Sequence, residues 1–191
     1  ALPGLTLSIE EQDYFELVME TAAKGLREFM EGKPLSVKIY EMEKPDVPLW
    51  CVWSIQQYAK EAGKERCRKL YMGLIRDIVD YLLASKHPNL TLDTNGLLYA
   101  DAKGEAITWM NSMNNGQPVV PRSGYIVEFN ALWYNALRFT AAMEMESGNE
   151  ERANELDALA EKCKTSFVET FLNEYGYLYD YVDGRMVDWS V

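Results

Sequence analysis

The segment from Thr108 to Leu137 gathers the side chains of this chain best suited to chemistry on a polyhydroxylated ligand. It holds flat rings at Trp109, Trp133 and Tyr134, amides at Asn111 and Asn130, a hydroxyl at Thr108, a guanidinium at Arg122 and a carboxylate at Glu128. A sugar ring presents hydroxyls at its edge, which need hydrogen-bond partners, and C–H bonds on its face, which stack on aromatic rings, so amides beside flat rings suit it. Asn111 can bond such hydroxyls, or it can satisfy backbone in a turn. Glu128 stands six residues after Arg122; it can bind a ligand, pair with that guanidinium, or serve as a helix-start carboxylate. Trp133 and Tyr134 are adjacent on a helix and cannot both face one pocket, and core packing is the ordinary role of either.

A second candidate is Asp46-Val-Pro-Leu-Trp50. An aspartate before a helix is an ordinary cap, yet an aspartate with a tryptophan one turn later on the same face also suits a sugar. Tyr175, Tyr177, Tyr179 and Tyr181, with Asp180 and Asp183, alternate along the tail and read as a short hairpin or an ordered loop, whose tyrosines pack on a helix or form a stacking platform. His87 is the single histidine and precedes Pro88 at a helix end, where contact with the final carbonyls is expected. No glycine-rich phosphate loop, zinc-ligand spacing or Ser-His-Asp set is present, and no cofactor is expected.

The elements that must position these groups are helices. Ser8-Ile-Glu-Glu11 fits a capping box, followed by Phe15, Val18, Met19, Ala22, Leu26, Phe29 and Met30 at helical spacing up to Gly32 and Pro34. Leu49 to Ile55 is apolar nearly all round, which predicts a helix contacted on several sides and ended by Gly63. From Lys64 to Ser85 the apolar set Cys67, Leu70, Tyr71, Leu74, Ile75, Ile78, Val79 and Leu82 predicts a helix with one wet side. Val127 to Met145 is again apolar on almost every face. Asn149 is read as the N-cap of a striped helix from Glu150 to Leu172. Between His87 and Ile126 lies a glycine-, asparagine- and proline-rich stretch, far longer than an ordinary connection and therefore read as a functional loop. The order striped, all-round, striped, all-round, striped predicts an all-α fold of stacked αα-hairpins, with inner helices covered by outer ones, in a toroid or a solenoid.

Composition narrows the class of partner. The chain has 191 residues, and 19 Lys plus Arg against 30 Asp plus Glu give a formal net charge of −11. That balance repels phosphate backbones and anionic membranes, so neither nucleic acid nor membrane is expected as a partner. The length fits a single domain over 1–191. Cys51, Cys67 and Cys163 are odd in number and sit within helical patterns, as buried free thiols in a reducing, cytoplasmic compartment would. No run of 18 apolar residues exists and the start carries no signal sequence.

Thr108-Trp-Met-Asn, the Pro-Arg at 121–122 and Val-Glu-Phe-Asn-Ala-Leu-Trp-Tyr-Asn-Ala-Leu ending at Leu137 resemble a signature of glycogen debranching enzymes and related glycoside hydrolases. Asp46 to Trp50 resembles the family's Asp-x-x-Leu-Trp at the start of an inner helix. The resemblance implies a partial (α/α)6 toroid with about five of its twelve helices, and α-1,6-glucosidase activity on branched α-glucans. It also implies that the chain is a fragment starting and stopping inside a catalytic domain, since the family continues beyond the segments resembling Ala1-Leu-Pro-Gly-Leu and Asp188-Trp-Ser-Val191. Inner helices left exposed would then favour self-association.

Inverting hydrolysis needs a general acid and, about 6.5 to 9.5 Å away, a general base. By the resemblance the acid belongs at Asn111, where the family carries aspartate, and the base in a later segment. An amide has no titrating proton and cannot be a general acid, so with the base also outside the chain the fragment is expected to be nearly inactive. Asp46, Trp50, Thr108, Trp109, Arg122, Glu128, Asn130, Trp133 and Tyr134 are the expected substrate-binding residues. The rival reading is a non-catalytic α-glucan-binding or scaffold module that has lost its acid; a third is a helical-hairpin interaction domain with no carbohydrate role.

Overall fold

A computed structural model describes residues 1–183; the Asp188 to Val191 segment lies outside them. A short helix α1 (Leu2–Thr6) and a 3-10 turn (Leu7–Ile9) lead into five long helices: α2 (Gln12–Met30), α3 (Val47–Ala62), α4 (Lys64–Leu83), α5 (Val127–Glu146) and α6 (Glu150–Phe171). The apolar spacing accounts for each of them. In α2, Phe15, Met19, Ala23 and Leu26 recur on one stripe and are buried. In α4, Cys67, Tyr71, Leu74, Ile75, Ile78, Val79 and Leu82 do the same.

The helix starts differ in detail from the expected caps. Ser8 sits in the 3-10 turn and Glu11 occupies the N-cap of α2 with no side-chain cap bond, so the expected capping box is not made. Glu10, at φ 63, reverses the chain just before it. Asn149 is the N-cap of α6, but its amide donates to Glu144 at 3.2 Å instead of capping its own helix. Gly63, at φ 87, separates α3 from α4 in a conformation that costs little only without a Cβ.

The stretch from His87 to Ile126 is not a structureless loop, and the fold is not purely helical. Strands β1 (Leu90–Leu92), β2 (Leu98–Ala100), β5 (Gly124–Ile126) and β6 (Tyr181–Val182) form an antiparallel sheet in the order β1-β2-β5-β6, and β3 (Met113–Asn114) pairs with β4 (Gln117–Pro118). Leu90, Leu98, Ala100 and Ile126 face the core. Asn130 of α5 fastens the sheet to the helix: its carbonyl oxygen accepts from Leu98 N at 2.7 Å, and its amide donates to Leu98 O at 3.0 Å and Ile126 O at 3.1 Å.

Helix α3 packs on α4 and α5, α4 on α5, and α5 on α6, while α2 lies against α3 and α4. The core fills the space between these helices, with Phe15, Leu49, Ile55, Tyr58, Ile75, Phe129, Trp133 and Phe171 fully enclosed. At the opposite side of α3 Trp50 is exposed, so the all-round apolar helix has one face without a partner among the described residues. No helix among the described residues is long and apolar enough to cross a membrane. Cys51, Cys67 and Cys163 are free, Cys51 partly buried and the other two fully.

Candidate functional site

The starts of α3 and α5 come together. Asp46 precedes α3, with its carbonyl taking the Trp50 N–H at 2.9 Å, and its carboxyl lies close enough to Glu128, in the first turn of α5, to feel its charge. Desolvation raises the Asp46 pKa above the ordinary carboxylate value; Glu128 and Glu41 add to the rise, while its own backbone and Trp50 oppose it. A carboxyl in such a place holds its proton to higher pH than a solvated one.

Beside Asp46 is a small cavity of about 260 Å³, lined by Tyr40, Glu41, Lys44, Asp46, Val47, Thr108, Trp109 and Asn111. It lies near the low end of ligand-pocket sizes, room for one ring-sized group. One wall is the turn before α3 and the other is the segment that carries the Thr-Trp-Met-Asn motif. Two motifs far apart in the chain thus share one pocket. Thr108 is buried and its Oγ1 accepts from Met110 N at 3.2 Å, which turns the chain so that Trp109 and Asn111 remain at the surface. Trp109 is 66% exposed and Tyr40 93% exposed. Two open rings therefore flank a polar floor.

Behind the cavity is a buried ion cluster. Arg122, 2% exposed, donates to the two oxygens of Glu128 at 2.5 and 2.6 Å and to Asp180 Oδ1 at 2.7 Å. Burial acts to lower the Arg122 pKa, but the two carboxylates outweigh it and the net shift is upward. The pairing foreseen between Arg122 and Glu128 is present, with Asp180 from the segment before β6 as a further partner. Two fully occupied oxygens leave Glu128 oriented by Arg122.

Other expected site residues stand elsewhere. Asn130 is fully buried with its amide committed to backbone, and Trp133 is fully buried with its indole N–H on Gly96 O at 3.2 Å. Tyr134 borders a separate apolar groove with Ala131, Lys164, Phe167 and Val168. Trp50 is the exception: it is 42% exposed and edge-on to Trp53, and its side chain stays close enough to the Asp46 carboxyl to lower that group's pKa. His87 is buried between Phe29 and Tyr81 and accepts from Asn89 N at 3.1 Å through Nδ1, so its contact is with the following turn and not with final helix carbonyls. Tyr175 and Tyr177 are exposed at a hairpin tip, whereas Tyr181 is buried. A larger groove of about 1000 Å³ between α2 and α4, bordered by Leu17, Thr21, Leu70 and Tyr71, contains no candidate residue.

Tyr40, Glu41 and Lys44 are members of the pocket that sequence patterns did not single out. Their one signal was position, within six residues before Asp46. Among the described residues no group of three or more His, Cys, Asp or Glu side chains is placed to hold a metal ion.

The chain is mainly helical, and the turn before α3 and the segment carrying Thr108 to Asn111 meet at a small pocket. The family model for amylo-alpha-1,6-glucosidase matches residues 35–190, and the chain belongs to that family. No curated protein and no solved structure matches it.

Proposed function

We propose that the cavity between Asp46 and Asn111 is part of the glucan site of a glycogen-debranching type glycoside hydrolase, acting on α-1,6 branches by inverting acid/base hydrolysis within an (α/α)6 toroid. The observation that carries the reading is that Asp46, Thr108, Trp109 and Asn111 line one pocket, given that the chain belongs to the amylo-alpha-1,6-glucosidase family. Asp46 and Asn111 supply hydrogen bonds to hydroxyls and Trp109 supplies a ring face; Arg122 orients Glu128 from behind. The partner is a neutral α-glucan in the cytoplasm, which fits the acidic charge and the three free thiols. No metal or organic cofactor enters this chemistry. The open face around Trp50 is a route to self-association.

Asn111 has no titrating proton and cannot act as a general acid, so these 191 residues by themselves turn over branched glucan slowly or not at all, with a loss on the order of a hundredfold or more. Asn111→Asp in the complete polypeptide tests this, with glucose release from a branched dextrin as the readout. Release rises if Asn111 stands at the acid position; no rise sinks that placement. The amide itself favours a second reading, a glucan-binding module without turnover. Binding of the dextrin with no hydrolysis by the unmodified complete polypeptide supports that module, and failure to bind any glucan overturns both.

A further inference from the structure

The two walls of the pocket are far apart in sequence, and the structure shows what holds them together. Lys44 Nζ donates to Ala106 O at 3.1 Å, across 62 positions. Among the described residues no other side-chain hydrogen bond or ion pair joins the turn at 40–47 to the segment at 101–112. Met42 of the one wall and Ile107 of the other are buried in the same core, and the remaining hydrogen bonds anchor each wall by itself. The turn is closed on itself by Lys44 N to Glu41 O and Val47 N to Lys44 O, both at 3.1 Å. By hydrogen bonds to other elements the facing segment is tied at its beginning, by Asp101 N to Asn89 O at 2.9 Å and Lys103 Nζ to Pro88 O at 2.9 Å, and among the described residues next at Arg122 and Ser123, by bonds to Asp180 and Ala100, while Ile107 is buried in the core. Between those anchors run Ala106, Thr108, Trp109 and Asn111.

From this we propose that Lys44 is the positioning residue of the pocket, setting the gap between the Tyr40 and Trp109 walls and so the affinity for the sugar held between them. The inference rests on the glucan reading for its ligand, though not for its geometry. Ala106 stands three residues before Trp109, so a bond at its carbonyl limits where the ring can be. A long flexible stem with a compact ammonium suits such a span, and one bond leaves two N–H donors on a group that itself lines the cavity. Its charge also faces an acidic lining, Glu41 and Asp46, with Glu128 near Asp46. Lys44 makes no ion pair among the described residues, so its charge is not already committed to one carboxylate.

The test compares Lys44→Met, which keeps the stem and removes the donor, with Lys44→Arg, which restores one. Three quantities are measured on the 191-residue chain: amide hydrogen exchange by segment, affinity for a branched dextrin, and Tm. The positioning role gives about tenfold faster exchange confined to residues 103–111 and about tenfold weaker binding in the methionine variant, with Tm nearly unchanged and both effects reversed by arginine. Unchanged exchange at 103–111, or a rise spread evenly over the chain with a lowered Tm, overturns it. Local loosening without loss of affinity also overturns it. If neither the unmodified chain nor the complete polypeptide binds dextrin, the glucan reading fails and the exchange at 103–111 alone decides whether Lys44 sets the wall.

Discussion

Arg122 holds Glu128 through two parallel N–H···O bonds, 2.5 and 2.6 Å long, while a further N–H reaches Asp180 at 2.7 Å. The start of α5 is thereby joined to the segment before β6. Removing the guanidinium leaves two half-buried carboxylates facing each other without a cation, which is the expensive way to break a buried pair. Arg122→Met is expected to cost about 3 kcal/mol, read as a lowered urea midpoint. Arg122→Lys recovers only part of it, because an ammonium cannot match both oxygens of Glu128 at once.

The same junction depends on Gly124 of β5. Its φ of 96 lies where side chains are strained, and an added Cβ would stand 2.5 Å from Val182 O and 2.8 Å from Asp183 Cα, both backbone atoms. Backbone cannot turn aside as a side-chain tip can. Gly124→Ala is therefore expected to lose at least about 2 kcal/mol. Amide exchange at Tyr181 and Val182 should accelerate more than exchange in α4, whose packing the substitution does not touch.

The five long helices were legible because each carries enough turns for a stripe to stand out from chance. The strands were not, since β1, β2, β5 and β6 are two or three residues long, too short for alternation to show, and β5 and β6 pair with partners distant in the chain. Leu98 pairs with Leu92, and Asn130 fixes it to α5 by accepting its N–H and donating to its carbonyl. In the site, Asp46 and Asn111 stood within recognisable motifs, and the spacing of Arg122 and Glu128 allowed, among other roles for Glu128, the pair that the fold then makes. Asp180 and Lys44 carried no such signal. A lysine in a turn has no periodicity, and its meaning arises only from the Ala106 carbonyl that folding brings to it.

Asp46 binds its proton more tightly in the folded protein than in the unfolded chain, because burial raises its pKa. Its contribution to stability is therefore full below the unfolded value of about 3.9 and declines as pH rises through the higher folded one. Asp46→Asn removes that decline. The variant is expected to melt above the parent at pH 7, with the gap closing towards pH 4. A constant gap across this range would show that Asp46 does not titrate in a desolvated place.

His87 behaves in the opposite sense. Burial among Phe29 and Tyr81 pushes its pKa down to about 4, against a contrary pull from the Glu43 backbone, and its Nε2 makes no well-formed hydrogen bond among the described residues. The unfolded chain takes up a proton near pH 6.5, whereas the folded protein resists until about pH 4. Neutral His87 thus supports the fold fully above pH 6.5, and that support is lost as the pH falls towards 4. The interval corresponds to about 3 kcal/mol, at 1.36 kcal/mol per pKa unit. His87→Gln, which does not titrate, should lower the baseline by loosening the ring contacts and should also flatten urea stability between pH 6.5 and 4. An equally steep pH dependence in the glutamine variant would assign the acid sensitivity to carboxylates such as Glu144, whose pKa the Arg76 pair holds down and whose support therefore fades as pH falls below about 4.5.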